Sequence, residues 1–324
     1  MHPKKVRIVF MGTPDFAVES LKALVENGYN VVGVITAPDK PAGRGQQISE
    51  SAVKKYAASK NLHILQPEKL KNLDFIAELE HLNADLQVVV AFRMLPEVVW
   101  NMPPMGTFNL HGSLLPQYRG AAPLNWAIIN GEAETGVTTF LLSHEIDTGK
   151  IMFQEKIEIG DDDTVGSVHD RLMEIGANLV LKTVDELAEG NVTAVDQEQL
   201  IRENSGIKHA PKIFKEDCRI DWTKDMETVR NLIRGLSPYP AAWTELVHKE
   251  KNEVLSAKIF AAARDYSLPA APGTLQTDGK KYLKIACPDG WLSITDIQLS
   301  GKKRMKIDEL LRGFHDFDSW QVNP

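Results

Sequence analysis

Cysteine is nearly absent. Two occur in 324 residues, Cys218 and Cys287, far apart and in no metal-like spacing. That excludes a disulfide-stapled scaffold and a cysteine zinc module, and it fits a reducing compartment. No apolar run reaches the roughly 18 residues that a membrane span requires, so no membrane partner is expected. The opening segment Met1-His-Pro-Lys-Lys-Val-Arg7 has no apolar core of the secretory kind and is expected to enter a strand directly. The turn Gly12-Thr13-Pro14-Asp15 lacks G-x-G-x-x-G, which disfavours a nicotinamide dinucleotide. No G-x-S-x-G elbow is present, and the histidines show no zinc-like clustering, so neither a serine hydrolase nor a metal is implied. Repeats and low-complexity tracts are missing too. A cytoplasmic globular protein is the expectation.

What the chain does have is a charge asymmetry. Residues 1–207 carry 18 Lys+Arg against 28 Asp+Glu, and residues 208–324 carry 19 against 16. The net charge of −7 therefore divides into −10 and +3. Either the halves differ by chance or the second half meets an anionic partner.

Strands alternating with helices lead the first half. Val6–Met11 and Val31–Thr36 read as strands around a helix holding Phe16, Ala17, Leu21, Leu24 and Val25. Helices are expected over 51–59 and 70–82, with strands at 63–66 and 86–92. Two further strands, 135–143 and 151–159, leave no room for a helix between them. A long helical pattern follows over 165–187. This order predicts an α/β fold: a Rossmann-like, mostly parallel sheet with helices on both faces. Residues 196–211 lose periodicity and read as a linker between a 1–195 catalytic domain and a 212–324 domain. Beyond a helix at 226–236, five short strands within 243–299 fit a small antiparallel barrel.

Chemistry concentrates in Asn109-Leu110-His111-Gly112-Ser113-Leu114-Leu115-Pro116 and in Asp147-Thr148-Gly149. Alternate residues of a strand share a face, so Asn109 and His111 can reach one substrate. Alone, each would be an ordinary satisfied polar residue and Asp147 a surface turn. Together they supply an amide, an imidazole and a carboxylate. Such a set can stabilise a developing oxyanion and move a proton. Each donor aimed at such an oxyanion is worth about 3 kcal/mol. Asp147 can orient the imidazole and relay the proton.

These residues carry a resemblance. Asn109-x-His111-Gly-Ser-Leu-Leu-Pro116, Arg119-Gly-Ala-Ala-Pro123 and Asp147-Thr-Gly149 resemble the signature of folate-dependent formyltransferases. Gly12–Phe16, Pro38–Gly45, Arg219-Ile-Asp-Trp222 and Ala271-Pro-Gly-Thr274 extend the likeness along the chain. The resemblance implies 10-formyltetrahydrofolate as formyl donor and catalysis by Asn109, His111 and Asp147. It implies a folate site at Ser113, Leu114, Leu115 and Pro116, and an oligonucleotide-binding-type (OB-like) barrel in the second half. The amine acceptor it implies is the methionyl group of initiator tRNA, formylated for translation initiation, with no obligatory protein partner. Arg44 matches an arginine of the family's tRNA-sensing loop, while Lys212 and Lys215, with Lys302-Lys303-Arg304, could bind phosphate. One departure is visible: Ala91-Phe-Arg93-Met-Leu-Pro96 stands one residue short of the family's Ala-Tyr-Gly-x-Ile-Leu-Pro.

Other readings fit parts of the sequence. A formyltransferase for a small amine, such as an amino sugar or glycinamide ribonucleotide, explains the first half equally well but not the basic second half. An RNA-binding protein with a vestigial catalytic half leaves the intact Asn109/His111/Asp147 set unexplained. A formylfolate hydrolase would put water in place of the amine.

Overall fold

The apolar run after Val6 forms β1 (Arg7–Gly12), buried at every position but its first. In this computed structural model, which describes residues 1–42, 47–201, 206–314 and 317–322, β1 is central to a larger sheet. The partners are β2 (Asn30–Ile35), β5 (Ile64–Leu65), β6 (Leu86–Val90), β7 (Thr107–His111), β9 (Glu134–Leu141) and β10 (Ile151–Glu158). The short strands β3 (Lys40–Ala42) and β4 (Gln47–Ser49) form a separate hairpin, while β8 (Arg119–Gly120) and β11 (His209–Ala210) also lie outside this sheet.

Contacts divide the chain into two compact units. One gathers Met1–Gly120, Thr135–Ile157 and His169–His209; the other gathers Ala121–Glu134, Glu158–Val168 and Ala210–Pro324. The sheet of the first runs β10-β9-β7-β6-β1-β2-β5. Pairings β5–β2–β1–β6–β7 are parallel and β7–β9 is antiparallel. Strand order reverses between β1 and β6, and in such sheets ligands bind beyond the carboxyl ends at the reversal. Gly12 and Val90 end β1 and β6 there, and Ala91 follows β6.

Each face is covered by helices for a legible reason. Val9, Met11 and Val89 point to one side, where Phe75 and Leu79 of α3 (Leu73–His81) and Val99 of α4 (Glu97–Trp100) join them. On the other side, Gly12 lies so close to α1 (Asp15–Glu26) that a Cβ would meet Ala17 Cβ at 2.6 Å. Thr183 of α6 (Val165–Glu189) donates to Thr139 at 3.0 Å on that same side. Asn72 and Ser51 cap α3 and α2 (Ala52–Ser59) with their side-chain oxygens.

The second unit is built on an antiparallel sheet in the order β14-β15-β16-β13-β12-β18, a nearly closed barrel. Its strands are β12 (Ala242–His248), β13 (Val254–Asp265), β14 (Leu275–Thr277), β15 (Leu283–Cys287), β16 (Gly290–Leu299) and β18 (Trp320–Val322). β17 (Met305–Lys306) pairs with β16, and α8 (Ile307–Leu311) follows it. Register breaks at 259–262 let the long β13 bend around the barrel. Met226, Val229, Ile233 and Leu236 of α7 (Met226–Leu236) recur at helical spacing and enter its core beside Trp222. The sequence gives no helix over 123–129, yet α5 (Pro123–Ile129) belongs to this unit. Asn125 Nδ2 donates to the Gly235 carbonyl at 2.8 Å, locking α5 onto α7. Both cysteines are buried thiols, and burial pushes Cys287 up to about 12.

A charge cluster also ties this unit. Arg264 holds Asp161 in a bidentate pair at 2.5 and 2.7 Å and reaches Glu227 at 2.7 Å. The Arg264 guanidinium keeps the Asp161 carboxyl down at about 2, against an ordinary value of 3.8. A depressed carboxylate contributes stability above its unfolded pKa and loses it as pH falls through the folded one. The contribution should therefore fade between pH 3.8 and about 2. It is modest, because Asp161 is 64% exposed. Arg264→Ala should move the acid-unfolding midpoint to higher pH, read by circular dichroism during a pH titration; an unmoved midpoint would remove the pair from the acid response.

Candidate active site

β7 delivers the two polar residues to one face. Asn109 pairs in register with Val89 and Phe140, and His111 with Thr138. This is the face of Val9 and Met11, at the carboxyl end of the strand. His111 is 7% exposed. Its ring stands edge-on to Phe140, with centroids 6.4 Å apart.

Hydrogen bonding assigns the imidazole. Nε2 lies 2.9 Å from the Tyr118 carbonyl. A carbonyl only accepts, so Nε2 carries a hydrogen. Nδ1 faces Asp147 Oδ2 at 3.9 Å. At that distance the two groups face each other without a hydrogen bond, and in enzymes such contacts often tighten only when substrate binds. The nitrogen left for chemistry is thus Nδ1, on the side of the carboxylate.

Asp147 is placed by a network of its own. It adopts φ +55°, a left-handed conformation that Asp enters more readily than most residues. Its Oδ2 accepts the Gly120 N–H at 3.0 Å. Gln197 Nε2 donates to the Asp147 and Gly149 carbonyls, each at 2.8 Å. Gln197 Oε1 in turn accepts from Arg119 Nε and Nη2 at 3.0 and 2.7 Å. Gln197 is buried, although sequence reading gives residues 196–211 as linker. Nothing in the polar tract around it marks it out, because its partners are backbone carbonyls fifty residues earlier.

One terminal amide atom of Asn109, assigned as Oδ1, is buried without a hydrogen-bond partner among the described residues. Amide oxygen and nitrogen exchange by a flip, so this position can present a donor. A buried polar group left unpaired costs about 1–3 kcal/mol, which a ligand that bonds it would recover.

The Ser113–Pro116 turn is built before any ligand arrives. Thr138 Oγ1 donates to the Ser113 carbonyl at 2.6 Å and accepts the Leu115 N–H at 3.1 Å. Gln154 Nε2 donates to the Leu115 carbonyl at 2.8 Å, and the Leu114 carbonyl accepts Gln117 N–H at 3.1 Å. Ser113 Oγ donates to the Gln117 carbonyl at 2.7 Å. A donor molecule would meet only what these bonds leave free. Neither Thr138 nor Gln154 is apparent from sequence. At the end of β6, Ala91 takes φ +47°, and the unexpected Arg93 donates to the Glu68 carbonyl at 2.8 Å and to that of Pro67. Arg93 thereby ties down a neighbouring loop.

The structure brings Asn109, His111, Asp147 and the Ser113–Pro116 turn into the first unit. Lys212 and Lys215 lie in the second. Lys212 Nζ sits 5.3 Å from the centroid of Phe214, which is 58% exposed. Lys215 Nζ sits 5.5 Å and the Arg219 guanidinium 5.8 Å from the Trp243 ring. Arg304 is drawn into a pair with Asp296 at 2.7 Å. Arg44 lies outside the described residues. Among the described residues, no group of three or more metal-ligating side chains occurs and no helix is long and apolar enough to cross a membrane.

A family profile described as formyl transferase matches residues 4–184, and its C-terminal-domain counterpart matches 212–315. The chain belongs to the formyl transferase family. It is 59% identical over 324 residues, all of both chains, to a methionyl-tRNA formyltransferase of Bacteroides thetaiotaomicron. A methionyl-tRNA formyltransferase of Flavobacterium johnsoniae is 54% identical over 98% of this chain and 99% of its own. An N-formyltransferase from Helicobacter canadensis, solved with folinic acid and dTDP-3-aminofucose, shares the fold at TM-score 0.62 and 20% identity, over 93% of this chain and 100% of its own.

Proposed function

We propose that this chain transfers the formyl group of 10-formyltetrahydrofolate to the free amino group of methionyl-tRNA, with initiator tRNA as the preferred acceptor. The observation that carries the chemistry is His111 Nδ1 facing Asp147 Oδ2 at 3.9 Å on the strand that bears Asn109. Identity of 59% over the whole chain to a methionyl-tRNA formyltransferase supports the acceptor.

The amine attacks the formyl carbon, and negative charge develops on the formyl oxygen. Asn109 is one donor for that oxygen, and His111 in its doubly protonated form, which keeps Nε2–H on the Tyr118 carbonyl, supplies Nδ1–H as the other. Asp147 holds the imidazole and takes the proton that the amine sheds; the tetrahedral intermediate then collapses with cleavage of the C–N10 bond, and that proton passes to N10 of the departing tetrahydrofolate. A free α-amino group titrates near 7.7–8, so much of it is already neutral at pH 7 and no covalent enzyme intermediate is required. The turn Ser113, Leu114, Leu115 and Pro116 borders the folate site. In this reading residues 1–195 form the catalytic domain, 196–211 the connection and 212–324 the tRNA-binding domain. Lys212 and Lys215, each beside an exposed or half-exposed aromatic ring, suit a nucleic-acid backbone with bases at hand. The enzyme works in the cytoplasm, independent of membranes and of any obligatory protein partner.

The deciding experiment is formyl transfer to charged initiator tRNA, with elongator methionyl-tRNA and a nucleotide-linked amino sugar as controls. Transfer to the sugar in preference to either tRNA would overturn the acceptor assignment. Arg44→Ala should raise KM for initiator tRNA about tenfold or more while leaving KM for the folate near wild type, since a lost bidentate guanidinium contact costs about 1–3 kcal/mol. Equal losses for both ligands would count against the tRNA role.

A further inference from the structure

Both roots of the β3–β4 hairpin converge on one side chain. Asp39 immediately precedes β3 and Glu50 immediately follows β4. The Lys54 ammonium takes both carboxylates: it donates to Asp39 Oδ2 and pairs with Glu50 Oε1 at 2.9 Å. The other Asp39 oxygen accepts from Gln66 Nε2 at 2.9 Å, and Gln66 also donates to the Ala37 carbonyl at 2.8 Å.

Lys54 itself stands on a firm mount. It lies in the first turn of α2, where Ser51 Oγ accepts its N–H at 3.0 Å. Ser51 Oγ also shares a 2.7 Å hydrogen bond with Thr36 Oγ1, just past the end of β2. A cation in the first turn of a helix opposes the helix dipole. Stability of α2 therefore does not account for a lysine here, whereas the two carboxylates do. Lys54 is 20% exposed and Asp39 26%. The Lys54 bond, then that of Gln66, holds the Asp39 carboxyl below its ordinary range.

We propose that Lys54 is a positioning residue for the tRNA acceptor, fixing the angle and splay of the β3–β4 hairpin by clamping both of its roots. The proposal rests on the reading that this hairpin, which carries Arg44 between its strands, meets the tRNA. The strands expose Lys40 and, at 73%, Ile48. The positions of these side chains relative to the sheet are set at the clamp. With Lys54 neutralised, two carboxylates at the hairpin base would face each other without a cation. Asp39 would keep its Gln66 bond, so the hairpin would stay attached through its first strand while the second moved.

The test separates acceptor from donor. Lys54→Met should raise KM for initiator methionyl-tRNA about tenfold, because small misplacements of a positioning element are costly. KM for 10-formyltetrahydrofolate and kcat at saturating tRNA should stay near wild type. Lys54→Arg, whose guanidinium can bridge both carboxylates, should restore KM. Glu50→Gln, a milder change that frees one root, should move KM in the same direction by less. Amide hydrogen exchange over residues 40–42 and 47–49 should quicken in Lys54→Met. An unchanged KM for tRNA in Lys54→Met, with Arg44→Ala still raising it, would overturn the clamp and leave the hairpin's tRNA role standing. If Arg44→Ala also left KM unchanged, the tRNA role of the hairpin would fall and the clamp with it. A matching loss for folate would mark Lys54 as a general structural residue and overturn the proposal.

Discussion

Asn109→Ala, His111→Ala and Asp147→Asn should each lower kcat by about 10² or more, since each removes charge stabilisation or proton transfer from the transition state. In the proposed mechanism the three act on one oxyanion and one proton, so their losses should not add: a double variant should fall little below the worse single one. Asp147→Asn is the most informative. An asparagine oxygen can still accept the Gly120 N–H, which leaves the loop in place, but the charge facing His111 Nδ1 is gone. KM for both substrates should change far less than kcat. His111→Ala also removes the imidazole donor from the Tyr118 carbonyl, and His111→Gln offers a control that keeps a side-chain donor there. The check is single-turnover formyl transfer with thermal melting alongside. A rate near wild type for any one variant would remove that residue from the chemistry.

Gly149→Ala should cost about 3 kcal/mol or more of stability and nearly all activity, although alanine adds one carbon. A Cβ at this position would sit 1.6 Å from the Leu141 carbonyl oxygen and 2.8 Å from its carbon. Both are backbone atoms of β9 and cannot rotate aside. Something in β9 or its neighbours must shift, which places this substitution at the severe end of overpacking. The Leu141 N–H donates to the Lys150 carbonyl at 3.0 Å, and Gly149 offers its own carbonyl to Gln197. Displacing Gly149 therefore disturbs β9 and the Asp147 loop together. Denaturant unfolding reads the first effect and formyl transfer the second. A variant with wild-type melting and activity would show that the close approach of these backbones is relaxed in solution.

Much of this was legible from the sequence because it depends on local patterning. The β-branched run at 86–90 and the helical spacing at 226–236 state their burial directly, and both elements appear in the structure. Asn109 and His111 were readable as partners because strand geometry alone puts them on one face. The reverse is true of α5. Its seven residues are too few to show a periodicity, and its place is fixed by α7, a hundred residues later. The β3–β4 hairpin hid behind glycine and proline, which also signal loops. Gln197, Thr138 and Gln154 carry no local signature, because each works by bonding backbone that is distant in sequence.

The dependence of Asp147 on Gln197 has a consequence for synthesis. Every strand of the first unit's sheet precedes residue 159, so a growing chain can form the sheet before residue 197 leaves the ribosome. Until then the Asp147 and Gly149 carbonyls lack their donor, and the carboxylate has its Gly120 bond but no anchor beneath its loop. A nascent chain halted near residue 190 would hold the sheet, Asn109 and His111, yet would lack the tie that sets the third member of the set. Under the proposed mechanism, catalytic competence is thus postponed past the completion of the sheet that houses it.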